Sequence, residues 1–91
     1  MYNTAVGSGA GEALSIGTKN TFIGALSGDA IVTGSENVAV GYIALTDLTS
    51  GTGNVAVGEE CGSNITDGDN NVAMGKLALF TNISGSQNIA I

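Results

Sequence analysis

The chain has 91 residues, a formal net charge of -6, one cysteine and no histidine. Its two cations, Lys19 and Lys76, cannot line a groove for phosphates, so nucleic acid and polybasic attachment to anionic lipid are excluded as partners. A single Cys61 rules out an intrachain disulfide, and no run approaches the ~18 apolar residues of a membrane-spanning helix, so no membrane insertion is expected.

The chain is read as a single domain over 1–91, built from one repeating unit of 17 residues without insertion or deletion. Met1 and Tyr2 precede the first copy and show neither the basic nor the apolar region of a signal peptide. Full repeats follow at 3–19, 20–36, 37–53, 54–70 and 71–87, and a partial one at 88–91. Place one of each repeat is asparagine: Asn3, Asn20, Asn37, Asn54, Asn71 and Asn88. Place three is Ala except for Phe22, and place four is Val, Ile or Met. Place five is Gly7, Gly24, Gly41, Gly58 and Gly75; place fifteen is Gly17, Gly34, Gly51, Gly68 and Gly85.

Places one to four form a short run rich in β-branched residues and bounded by glycine, which predicts a strand. Alternation sets places two and four on one face and places one and three on the other. Val6, Ile23, Val40, Val57, Met74 and Ile91 are expected to stack along the core, and the Ala face to meet a neighbouring chain, since strands apolar on both faces are usually covered on both. Glycine at place five turns a corner. A second short strand is expected within places six to thirteen, carrying a small residue at place eight and an inward aliphatic at place twelve (Leu14, Ile31, Leu48, Ile65). Asn82 breaks that column, and Ile83 is expected to substitute for it. Glycine at place fifteen makes the return turn. A helix fails, because two glycines per repeat would each cost about 1 kcal/mol against alanine.

A fixed period of this length means stacked coils. The prediction is an all-β, parallel β-solenoid with 17-residue coils, two short strands per coil and about five coils, in which the asparagines form an amide ladder. Solenoids need polar caps, because an open coil is a bare strand edge. Asn88-Ile89-Ala90-Ile91 reads as such an edge, so another molecule stacks on it or the natural chain continues.

The pattern Asn-Thr-Ala-Val-Gly-x-x-Ala-Leu followed by Thr-x-Gly-x-x-Asn resembles the β-roll repeats of trimeric autotransporter adhesin heads. It is similar also to repeats of bacteriophage tail fibres and related extracellular fibre proteins. The best matches are Asn37 to Leu45 and Asn71 to Leu79. The resemblance implies a left-handed β-roll, assembled as a homotrimer, that serves as a rigid stalk or an adhesive surface at a virion or cell surface. The autotransporter repeat is usually a few residues shorter, and no coiled-coil stalk, neck or anchor is visible in this sequence.

Isolated features weigh less. Cys61 falls in the small-residue column with Ala10, Ser27, Ala44 and Ala78 and reads as a buried residue; Glu59 and Glu60 are the wrong neighbours for a reactive thiol. Glu12 and Asp29 share place ten without a basic partner and read as a solvated edge. The run 66–71 is oxygen-rich but lacks the ligand order of a calcium loop. Gly7 to Gly11 superficially resembles a phosphate loop but lacks the lysine and opens no helix. The threonines are too irregular for an ice-binding face, with Thr4 and Thr21 alone sharing a strand column. Asn64 and Asn82 begin glycosylation sequons, a triplet that arises by chance in a chain rich in Asn, Ser and Thr. Without histidine there is no Ser–His or Cys–His pair, so no catalysis, metal or cofactor is expected. The reading is a structural protein that self-associates, laterally as a trimer or end to end, into a fibre. The alternative is an adhesin or tail-fibre segment that binds a host glycan or protein through places six to eleven, with Tyr42 and Phe80 as the candidate aromatics.

Overall fold

The computed structural model describes residues 2–63, 68–78 and 89–91. Within them lie six short strands, β1 (Thr4–Val6), β2 (Thr21–Ile23), β3 (Val38–Val40), β4 (Val55–Val57), β5 (Val72–Met74) and β6 (Ile89–Ala90). They form one sheet in sequence order, every neighbour pair parallel. The register never slips: Thr4 lies opposite Thr21, Ala39 opposite Ala56, Val57 opposite Met74. The fold is a parallel β-solenoid of about four turns with 17-residue coils, and no helix occurs among the described residues.

Each described coil holds one strand rather than two. After the strand, residues 8–13, 25–30 and 42–47 run as successive tight turns. The cause is a set of left-handed backbone positions. Place seven has φ of 59° at Leu26, 63° at Ile43, 58° at Glu60 and 64° at Leu77. Place nine repeats this at Gly11, Gly28, Leu45 and Gly62, with φ from 54° to 63°. Extended strands need φ near -120°, so two left-handed residues within three positions break the ladder. Bonding between coils persists all the same: Gly28 N–H donates to Ala44 O at 2.9 Å, and Asp47 N–H to Ser63 O at 3.1 Å.

The two glycine columns are fixed for different reasons. At place five φ lies between 109° and 136°, a region that side chains rarely enter. A Cβ on Gly24 would also sit 2.8 Å from the carbonyl carbon of Gly41. At place fifteen the φ values are ordinary, and close approach decides: a Cβ on Gly17, Gly34 or Gly51 would drive into the carbonyl oxygen of Gly34, Gly51 or Gly68. Gly85 lies outside the described residues, as do Asn88, Ile65 and Ile83.

The sheet faces are the reverse of the sequence expectation. Ala39, Ala56 and Ala73 are buried to within 1% and Phe22 completely, whereas Ile23 and Met74 are 43% and 44% exposed. Val40 and Val57 are half-buried and Val6 is exposed. The place-four column therefore points outward and the Ala column lines the interior. Parity supplies the reason. Asparagine points inward, where its amide reaches the place-fifteen carbonyl across its own coil, and place three shares its face. The narrow interior then takes Ala beneath the strand, with Ile31 and Leu48 of place twelve and Ala44 and Cys61 of place eight filling the other wall.

Phe22 shows how closely this interior is matched. A Cβ on Gly28 would lie 2.6 Å from its ring, and one on Gly11 2.8 Å. In the next coil the sizes are exchanged: Ala39 stands where Phe22 does, and fully buried Leu45 where Gly28 does. Close-packed interiors tolerate such swaps when volume is conserved.

Candidate functional site

Two features dominate the molecule, an internal amide ladder and an outward apolar sheet face. The ladder is continuous through the described asparagines. Asn20 Oδ1 accepts from Asn37 N–H at 3.0 Å and from Asn37 Nδ2 at 3.2 Å. Asn37 Oδ1 accepts the same pair from Asn54 at 2.9 and 3.2 Å, and Asn54 Oδ1 from Asn71 at 3.0 Å each. The first rung repeats it between Asn20 and Asn3. The second amide hydrogen turns back within its own coil: Asn37 Nδ2 donates to Gly51 O at 2.8 Å, Asn54 Nδ2 to Gly68 O at 2.7 Å. Each interior asparagine thus binds its neighbour coil and clamps its own coil shut. All side-chain hydrogen-bonding capacity of the amide is used, and no buried side-chain polar atom among the described residues lacks a partner. This saturation marks Asn20, Asn37 and Asn54 as structural, and Asn71 joins them through its two bonds to Asn54 Oδ1.

Two further side-chain rungs lie at place sixteen, without a continuous ladder between them, and escaped the sequence reading. Thr18 N–H donates to Ser35 Oγ at 3.0 Å, and Thr52 N–H to Asp69 Oδ1 at 2.8 Å. Short oxygen-bearing side chains recur in this column (Thr18, Ser35, Thr52, Asp69), and that recurrence was the available signal. Asp69 is thereby engaged in a turn; Thr66 and Asp67 lie outside the described residues.

The outward face consists of places two and four on β1 to β5 with Ile89 of β6. Its columns are Thr4, Thr21, Val38, Val55, Val72, Ile89 and Val6, Ile23, Val40, Val57, Met74. None of these side chains is charged. Around the corner the apolar character continues at Leu26, Tyr42 and Leu77, which are 37%, 48% and 45% exposed. These columns and their continuation form an apolar part of the surface among the described residues.

Among the described residues the charged side chains assemble no centre. No group of three His, Cys, Asp or Glu side chains suited to a metal occurs among the described residues. Burial raises the Asp29 carboxyl above its usual value, with the charges of Glu12 and Asp47 adding to the rise against its backbone hydrogen bond. Glu59 Oε1 meets Lys76 Nζ at 3.3 Å across adjacent coils, an exposed pair that contributes little. Cys61 is fully buried, and burial pushes its thiol up, away from the thiolate. The stretch from Gly7 to Gly11 is a tight turn, with Ala10 N–H donating to Gly7 O at 3.2 Å. Asn64, Asn82 and Phe80 lie outside the described residues. No helix among the described residues is long and apolar enough to cross a membrane. Comparison with protein families, characterised proteins and solved structures finds no match to this chain.

Proposed function

We propose that this chain is a non-enzymatic structural module whose copies associate into a fibre at a cell or virion surface. The observation that carries the reading is the uncharged apolar face of the sheet, left open on a coil whose interior is already filled by its own Ala, Leu and Ile residues. Exposing that face costs about 25 cal/mol for each Å² of apolar surface, which association recovers. The saturated ladder supports the same reading, since it spends the polar groups on holding coils together. The likeness of the repeats to autotransporter heads and tail fibres makes a trimeric, left-handed roll the specific form of the proposal. Sedimentation velocity over a wide concentration range tests it: association that grows with concentration is expected, and a folded monomer throughout defeats it.

The adhesive alternative rests on Tyr42, whose half-exposed ring, one coil on from Ala25, offers a stacking platform for a sugar. Glycan binding that Tyr42→Ala abolishes would favour it.

A further inference from the structure

We infer that copies meet through the outward sheet columns, the occupant of each copy's face being the same columns of another copy of this chain, paired across a two-fold axis or gathered about a three-fold one. This rests on the self-association proposed above and assigns its surface. Three observations select the occupant. First, the chain carries -6, and its described acids lie off this face: Glu12 and Asp29 at place ten, Asp47 at eleven, Asp69 at sixteen, Glu36 at seventeen, Glu59 and Glu60 beyond the corner. Two copies of so acidic a chain can approach closely only where neither bears charge, and places two and four satisfy that along the whole stack; place thirteen is uncharged too, but there Ser15 and Thr49 flank Val32, so it offers no continuous apolar column. A basic partner would be drawn to the other sides. Secondly, the face offers a sugar only the hydroxyls of Thr4 and Thr21, at one end. Thirdly, the columns recur at the coil rise, ~4.8 Å for hydrogen-bonded strands. Only a surface with the same rise meets Val38, Val55 and Val72 in step, and a second copy has it by construction. β-branched side chains in matched columns then interdigitate as in a dry zipper.

Area sets the strength. Six strands at ~4.8 Å and three residues at ~3.3 Å cover on the order of 250 Å² in projection. A stable interface takes about 800 Å² per partner. Association of this length of chain is therefore weak and strengthens with each added coil.

The test replaces Val40 and Val57 together by Lys. Both are half-buried on the outward side, so the folded coil can keep an ammonium in water. The change brings the net charge closer to zero, so lost association cannot be ascribed to greater overall repulsion. Expected is at least a tenfold weaker association by sedimentation, with the thermal transition retained. Equal association of the variant overturns the face assignment and leaves self-association standing; a monomeric wild-type chain overturns both. Should the Lys pair fail to fold, Val40→Cys reports instead. Oxidation is expected to give disulfide-linked dimers from Val40→Cys and none from Ser50→Cys on the exposed return turn. The reverse yield overturns the assignment.

Discussion

Asn37 is the residue on which two neighbouring coils depend. Truncation by Asn37→Ala removes its donation to Asn20 Oδ1 and Gly51 O and its acceptance from both Asn54 donors. Each buried group left without a partner costs about 1–3 kcal/mol. The expected loss is about 3–6 kcal/mol, read from urea unfolding, and a loss under about 1 kcal/mol would show that the ladder is not needed. Asp29 acts in the opposite direction. Its carboxyl is raised in the folded chain, by burial first and then by Glu12 and Asp47, so the folded state disfavours its charge. That destabilisation is present at neutral pH and disappears as pH falls through the raised value. Asp29→Asn is therefore expected to raise the melting temperature at pH 7 and to leave it unchanged near pH 3, below the ordinary carboxylate value of ~3.9. A lower melting temperature at pH 7 would reverse the assignment.

At the level of the coil, packing is a matter of matched sizes. Gly28→Leu alone drives a side chain into the Phe22 ring. Combined with Phe22→Ala it reproduces the arrangement of Ala39 and Leu45, whose left-handed φ of 54° shows that leucine can occupy the position. The double variant should recover about 2–3 kcal/mol relative to the sum of the single changes; simple additivity would mean that the two places do not touch. Much of the coil was legible. The strands lie where β-branched runs meet glycine, and the ladder lies where asparagine recurs. Two features were not. Hydropathy ranks Val above Ala and so chose the wrong face; Asn37 and Ala39 share parity, and the Asn37 amide faces inward because it bonds Gly51 O across its own coil. The second strand was misread because Leu26, Ile43 and Leu77 are residue types that seldom adopt a left-handed backbone. Nothing in their identity announces a turn. The outward apolar face was visible as a pattern, but its exposure followed only from the orientation.

In the whole molecule, each coil bonds to its immediate neighbours, so stability is a sum over coils and contacts between them. Damage to a middle coil should divide the stack. Gly41→Ala combines a φ of 132° with a Cβ 2.7 Å from the carbonyl carbon of Gly58. Amide hydrogen exchange is expected to speed first in β3 and β4 and least in β1. Uniform acceleration would instead show that the coils unfold as one unit.

The unbroken register has a consequence for how such a chain can change its length. Removing residues 37–53 joins Glu36 to Asn54 and returns every later residue to its column. Asn54 then falls where Asn37 stood, within reach of Asn20 Oδ1, and Gly58 falls over Gly24. Removing one residue more or fewer misaligns every later rung with those before it. The shortened chain should fold with one rung fewer and a lower melting temperature, whereas its off-by-one counterparts should not fold as a single stack; circular dichroism separates the outcomes. Length in this architecture is counted in whole coils, and a gene encoding it can grow or shrink by duplicating or losing one unit without any new residue having to be selected at the join.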